Sequence, residues 1–269
     1  MTRRLRPGTI ALAAALALAA CGDAADGTAE AEATPPPCES ATFEGAPLTH
    51  CIADPKRHRI RTVLGPEGGA PYRSLSELAL AIGNEGPEVA FATNGGMFNA
   101  EGRPIGYYVE NGERRHRLNR NEGYGNFHLL PNGVFFGTGG AWQVRTADDF
   151  ARNVSKRPAF GTQSGPMLVI AGKLHPRIDE DGTSLKLRNA VGVDRQGRAH
   201  FVISDAPISF GKLARYYRDV LKTPNALFLD GSVSSLWDPH VGRVDGGPPL
   251  GPLIVVENRA KAPSKQREE

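Results

Sequence analysis

The run Asn225-Ala226-Leu227-Phe228-Leu229-Asp230-Gly231-Ser232-Val233-Ser234-Ser235 decides how this chain is read. Its apolar first half is the pattern of a buried strand, and it runs directly into an acid, a glycine and a cluster of hydroxyls. A carboxylate delivered by a buried strand onto a glycine turn stands where a rigid scaffold can present it to a pocket. Just upstream, Leu213, Tyr216, Tyr217, Val220 and Leu221 recur at helical spacing, so a helix is expected over Phe210 to Leu221, capped by Ser209 and stopped by Lys222-Thr223-Pro224. Downstream, Leu253 to Glu257 reads as a last apolar strand.

Working outward, short strands dominate. Arg59 to Leu64 and Val89 to Thr93 flank a helix expected over Leu75 to Ile82, with Ser74 and Glu77 as a capping box. Pro131-Asn132-Gly133 is expected to turn a hairpin between Phe127 to Leu130 and Val134 to Phe136. Arg195-Gln196-Gly197-Arg198 is expected to turn another between Ala190 to Asp194 and Ala199 to Ser204. Hairpins with a few helices point to an α+β fold: a single domain with a largely antiparallel curved sheet and a few packed helices. That domain is expected over residues 38–258, with no repeat or second linker inside it.

Arg3, Arg4 and Arg6 precede the apolar run Ile10 to Ala20, the layout of an export signal over residues 1–20 that is too short to span a bilayer. Its end, Leu18-Ala19-Ala20-Cys21, resembles the lipobox of bacterial lipoproteins, which implies lipidation of Cys21 and a membrane-anchored lipoprotein of the cell envelope. Residues 21–37 read as a disordered tether and 259–269 as a disordered basic tail. The leader's three arginines account for the whole excess of 32 bases over 29 acids, so no sequence-wide electrostatic case for nucleic acid survives. The local cluster Arg114, Arg115, His116, Arg117 and Arg120 is expected to be a solvated hairpin or loop. With Cys21 assigned to lipid, Cys38 and Cys51 remain in an exported, disulfide-permissive setting and are expected to pair.

A second strand ending in a polar residue and glycines is Ala92-Thr93-Asn94-Gly95-Gly96-Met97-Phe98-Asn99. Its side-chain amide supplies both donor and acceptor, and the paired glycines permit close backbone approach to a ligand. A third block, Gly161-Thr162-Gln163-Ser164-Gly165-Pro166-Met167-Leu168, places Ser164 before a turn, and a fourth, Leu187-Arg188-Asn189-Ala190-Val191-Gly192, places Arg188 at a strand start. A guanidinium there is suited to a phosphate or carboxylate, a surface salt bridge being the competing account.

In order and spacing these blocks resemble the phosphodiester glycosidase family. Its Asn-Gly-Gly-Phe-Phe block is matched by Asn94 to Phe98, and its Ser-x-Pro-x-Leu block by Ser164 to Leu168. Its Arg-x-x-x-Gly segment is matched by Arg188 to Gly192, and its Leu-Asp-Gly-Gly-x-Ser-Ser block by Leu229 to Ser235, with Ser232 where a second glycine is common. The resemblance implies hydrolysis of a sugar 1-phosphodiester in an envelope or extracellular glycan such as an exopolysaccharide. On these residues Asp230 would serve as nucleophile or base, Arg188 would stabilise the phosphate, and Asn94 would orient the substrate. Asp205 is the second carboxylate, ahead of Glu110, while Gly95, Gly96, Ser164, Gly231, Ser234 and Ser235 would bind substrate. No cofactor motif is present and the histidines lack metal-ligand spacing, which leaves only a hard divalent cation on Asp230 and Asn94 oxygens as a metal option. The competing function is a non-catalytic lipoprotein that binds an anionic glycan during polysaccharide export or assembly.

Overall fold

The computed structural model describes residues 35–84, 86 and 88–260, so the expected export signal, Cys21 and most of the expected tether and tail lie outside the described residues. The apolar alternation becomes three sheets, and every pairing between their strands is antiparallel. The first runs in the order Cys38–Phe43, Ala46–Ala53, Ala199–Ser204, Asn189–Val193, Asn225–Phe228, Met167–Ile170, Lys173–Leu174. The second is Arg243–Val244, Leu236–Asp238, Val89–Asn94, Leu253–Asn258, His58–Val63, and the third is Glu113–His116, Tyr108–Glu110, Phe160–Ser164, Gly133–Thr138, Ala141–Thr146.

Alternate residues of all three sheets fill one central core, with Phe201 and Leu227 from the first, Phe91 and Ile254 from the second, Phe135 and Phe160 from the third. The other face of each sheet is covered by its own helix. Phe210–Arg215 continues into a wider π turn over Tyr216–Val220 and packs on the first sheet, Leu75–Ile82 on the second, Ala147–Asn153 on the third. The expected α+β fold of largely antiparallel strands with a few packed helices holds, its strands divided among three sheets around a shared core.

Local signals hold where their chemistry is local. Glu77 N–H donates to Ser74 Oγ at 3.1 Å, and Lys212 N–H donates to Ser209 Oγ at 3.1 Å, so both expected helix caps form. The Glu77 carboxylate reaches Arg73 N at 2.7 Å, one residue before the cap. The hairpin expected at Pro131-Asn132-Gly133 does not form. Residues Asn126–His128 make a 3-10 turn, and the buried Asn132 side chain donates to Asn119 O and Phe127 O, tying the segment to a loop instead of reversing a strand. Gly133–Thr138 turns back through Gly139 and Gly140, both at positive φ, onto Ala141–Thr146. The tail expected from residue 259 is held at its first position, where Arg259 N–H donates to Arg57 O at 2.7 Å and its guanidinium to Pro55 O and His58 O.

Cys38 and Cys51 are paired, directly opposite one another on the first two strands. Their separation of 13 residues closes a short loop. Replacing both by alanine is expected to lower the unfolding free energy by about 3 kcal/mol on the loop-entropy model, measured by urea titration at neutral pH.

Buried histidines predict a second stability effect. His50 Nε2 lies 2.9 Å from His200 Nδ1, and His200 Nε2 lies 3.0 Å from Asp194 Oδ2. A proton on His200 Nε2 given to Asp194 leaves Nδ1 to accept from His50, so two neutral rings satisfy the chain. Burial, with His200 beside it, holds His50 down to about 4, and burial with Arg57 nearby does the same for His58. The unfolded rings titrate near 6.5, so they bind more protons than the folded ones between those values. Their contribution is complete above about pH 6.5 and is lost as pH falls to about 4, each ring accounting for up to about 3 kcal/mol. Denaturant midpoints that stay level across this window would contradict it.

Candidate active site

The three sheets meet at the end of the strand Asn225–Phe228, and the polar residues picked out in the sequence are what join them. Leu229 N–H donates to Asn189 O at 3.0 Å, carrying the ladder with Asn189–Val193 past the strand end. From the second sheet, Asn94 Nδ2 donates to Asp230 O at 2.8 Å, while its Oδ1 accepts from Ser235 N at 3.0 Å and Asn189 Nδ2 at 2.8 Å. From the third, Ser164 Oγ donates to Leu229 O at 2.8 Å. Asn94, Ser164, Arg188 and the turn Asp230 to Ser235 therefore occupy one node, although their blocks are far apart in the chain.

The glycines serve closeness between protein segments. Gly95 N–H donates to Pro252 O and Gly96 N–H to Thr162 Oγ1, and a Cβ on Gly96 would run into Gln163 O. A Cβ on Gly231 would stand 2.6 Å from Leu187 O and 2.9 Å from Arg188 Cα, so this turn can lie against the Arg188 strand only as glycine.

Arg188 and Asp230 are brought near each other by the register of their strands. Ala190 is paired with Phe228 and Leu229 N–H donates to Asn189 O, so the next residues outward bring the backbone of Arg188 against the turn that Asp230 opens, within 2.9 Å of where a Cβ on Gly231 would stand. They form no ion pair. The guanidinium lies 3.6 Å from the Phe210 ring centre and 5.7 Å from that of Phe228, donating from Nε to Ile208 O and from Nη2 to Ser184 O at 2.8 and 2.9 Å. Arg188 is buried, and burial lowers it to about 10. Among the described residues no carboxylate pairs with it, which disposes of the surface salt bridge as an account of this residue. Among the described residues the Asp230 carboxylate accepts only from Ser232, at 2.6 Å from Oγ and 3.3 Å from N, and burial pushes its pKa up despite those bonds.

Two polar atoms at the node, Ser234 Oγ and Asn189 Oδ1, are buried without a partner among the described residues. Ser235 Oγ is instead spent on Val233 O. Asn189 is the functional candidate missed in the sequence, although its place beside Arg188 at the head of a buried strand is a usable signal. Phe210, which supports the guanidinium, reads in the sequence only as the start of its helix.

Asp205 stands at the same end of the first sheet, one residue beyond Ser204, whose Oγ accepts from Arg188 N. Its carboxylate accepts from Thr49 Oγ1 at 2.8 Å and pairs with Arg243 at 3.2 Å, so it is engaged away from Arg188 and Asp230. Glu110 is farther away, at a cleft between the second and third sheets. Asn94 Oδ1 already accepts two hydrogen bonds, so it is not free to hold a cation with Asp230. Among the described residues no group of three His, Cys, Asp or Glu side chains is arranged to bind a metal.

Comparison with known proteins bears on this node. Residues 87–248, which contain all four blocks, match the family described as phosphodiester glycosidase. The chain is 34% identical over 184 residues to the uncharacterized protein YigE of Escherichia coli K12, covering 68% of this chain and 71% of that one. The fold is similar to the zebrafish N-acetylglucosamine-1-phosphodiester alpha-N-acetylglucosaminidase catalytic domain, auto-inhibited by its pro-peptide, with TM-score 0.57, 14% identity and 82% of each chain covered. It is also similar to a hypothetical protein from Synechocystis, with TM-score 0.54, 16% identity and coverage of 82% of this chain and 61% of that one.

Proposed function

Because the chain belongs to the phosphodiester glycosidase family, we propose that it hydrolyses a sugar 1-phosphodiester, breaking the bond between the anomeric carbon and a phosphate oxygen. The observation that carries this reading is a buried guanidinium whose strand lies against the turn bearing a half-buried carboxylate, the two not closing into an ion pair. A bound phosphodiester completes such a pair of charges. Its phosphate lies toward Arg188, and its anomeric carbon lies toward Asp230.

The chemistry follows from the leaving group. A phosphomonoester departs as a stable anion carrying the electron pair of the broken C1–O bond, so it needs charge stabilisation more than a proton. Arg188 supplies that charge, held in place by Phe210 and two carbonyls before substrate arrives. Asp230 acts at C1, as nucleophile or as base for the attacking water, and burial makes its carboxylate more basic. Ser234 Oγ, buried and unpartnered, donates to the substrate. Asn94 positions Asp230 through its backbone carbonyl, and Asp205 braces the same rim through Arg243 and Thr49. The lipobox-like Leu18 to Cys21 supports a place on the bacterial envelope, where a phosphate-bearing glycan is the substrate.

A panel of sugar 1-phosphodiesters tests the reading. The purified protein is expected to release free sugar and a phosphomonoester in equal amounts from at least one member. Retention of the panel with no turnover would favour the glycan-binding alternative.

A further inference from the structure

A cleft of about 500 Å³ lies beside the node and takes no part in it. One wall is the loop 65–69 that follows the strand His58–Val63; the other carries Arg103 and Pro104, with Glu110, Glu113 and Arg115 from the hairpin of the third sheet. Its size falls within the range of small-ligand sites, about 300–1,000 Å³.

Its position is tied to the node by register. Leu253 is paired with Asn94 on one side and Val63 on the other. The cleft, entered at Leu64, and the node, entered at Asn94, thus share one end of the second sheet, two strand spacings or about 10 Å apart. The loop after Asn94 serves both. Met97 packs with the cluster that holds Phe210 and Phe228, and Arg103 lies at the cleft.

The lining selects a class of ligand. Arg115 is neutralised by Glu113 at 3.0 Å, while Arg103 forms no ion pair among the described residues. Glu110, half-buried, accepts from Leu64 N at 3.3 Å and retains further acceptor capacity. Three carboxylates, those of Glu67, Glu110 and Glu113, against two guanidinium groups disfavour a polyanion, and this density of charge disfavours an apolar ligand. Closely set acceptors and donors without excess positive charge fit the hydroxyls of an uncharged sugar.

We propose that this cleft is a second carbohydrate subsite, holding an uncharged sugar ring of the same glycan whose phosphodiester lies between Arg188 and Asp230. It rests on the hydrolase reading for its place in the reaction, but its binding is separable from it. An array of neutral, phosphorylated and uronic-acid oligosaccharides tests it with the purified protein and three variants. The native protein and Asp230→Asn are expected to bind neutral oligosaccharides alike, while Arg103→Ala and Glu110→Gln each weaken that binding by about tenfold or more, as loss of a charge-assisted hydrogen bond does. The amide oxygen introduced by Glu110→Gln can still accept from Leu64 N, so a folded variant is expected, and a circular dichroism melt verifies both.

Capture of anionic oligosaccharides alone, no capture of neutral ones, or neutral binding indifferent to both cleft variants would overturn the proposal. Cleft-dependent binding in a protein that turns over no diester would count against the hydrolase reading and leave the subsite standing. Turnover accompanied by cleft-independent binding would do the reverse.

Discussion

Asp230→Asn is expected to lower kcat for sugar 1-phosphodiester hydrolysis by about 10³-fold or more while leaving the fold at least as stable. Among the described residues the carboxylate has no cation partner and accepts only from Ser232. An asparagine Oδ1 can keep that turn, and removing the charge relieves the burial that raises the carboxyl's pKa. Nothing structural therefore explains a loss of activity in this variant; only the chemistry at C1 does. The pH profile supplies an independent check. Asp230 acts as the anion, and its pKa is raised from the ordinary value of 3.8, so activity is expected to fall on the acid side beginning above the ordinary aspartate range. Hydrolysis retained by Asp230→Asn, in protein with an unchanged melt, would remove Asp230 from the reaction.

How much of this site is legible in the sequence depends on the range over which each residue acts. The Ser74 and Ser209 caps and the turn at Asp230-Gly231 are written within a few residues, so their sequence patterns translate directly into geometry. The Phe127 to Gly133 stretch fails for the opposite reason. Its Asn132 looks like a turn residue, but a buried amide finds partners at Asn119 and Phe127 and holds a loop instead. Asn189 bonds Asn94 from 95 positions away, between sheets whose meeting no local pattern encodes. Likewise, the fork of Arg188 suggests an anion site, whereas its stacking on Phe210 depends on how a helix covers the first sheet. The repeated design of a buried strand running into a polar residue and glycine is legible at both Asn94 and Asp230. That the glycines bring protein segments together, at Gln163 and Leu187, requires the fold.

Arg188→Met should separate stability from function in the other direction. The native guanidinium is costly to keep: burial lowers it from its ordinary value to about 10, and no described carboxylate compensates for its charge. A shift of that size corresponds to about 3 kcal/mol against the charged form at neutral pH. Two charge-assisted bonds to Ile208 O and Ser184 O, at roughly 1.5–3 kcal/mol each, and the stack on Phe210, at up to about 2 kcal/mol, oppose that cost. Methionine retains an unbranched stem between Phe210 and Phe228, removes the burial penalty and leaves two carbonyls short of a donor. These effects are comparable, so the net stability change is expected to lie within about 2 kcal/mol of zero. Hydrolysis is expected to fall about 10²- to 10³-fold, since an oriented charge at the leaving phosphate is gone. Inorganic phosphate provides the direct reading of that charge: it should raise the native melting temperature and have little effect on that of Arg188→Met. A methionine variant that hydrolyses normally, or gains as much stability from phosphate as the native protein, would assign Arg188 to packing alone.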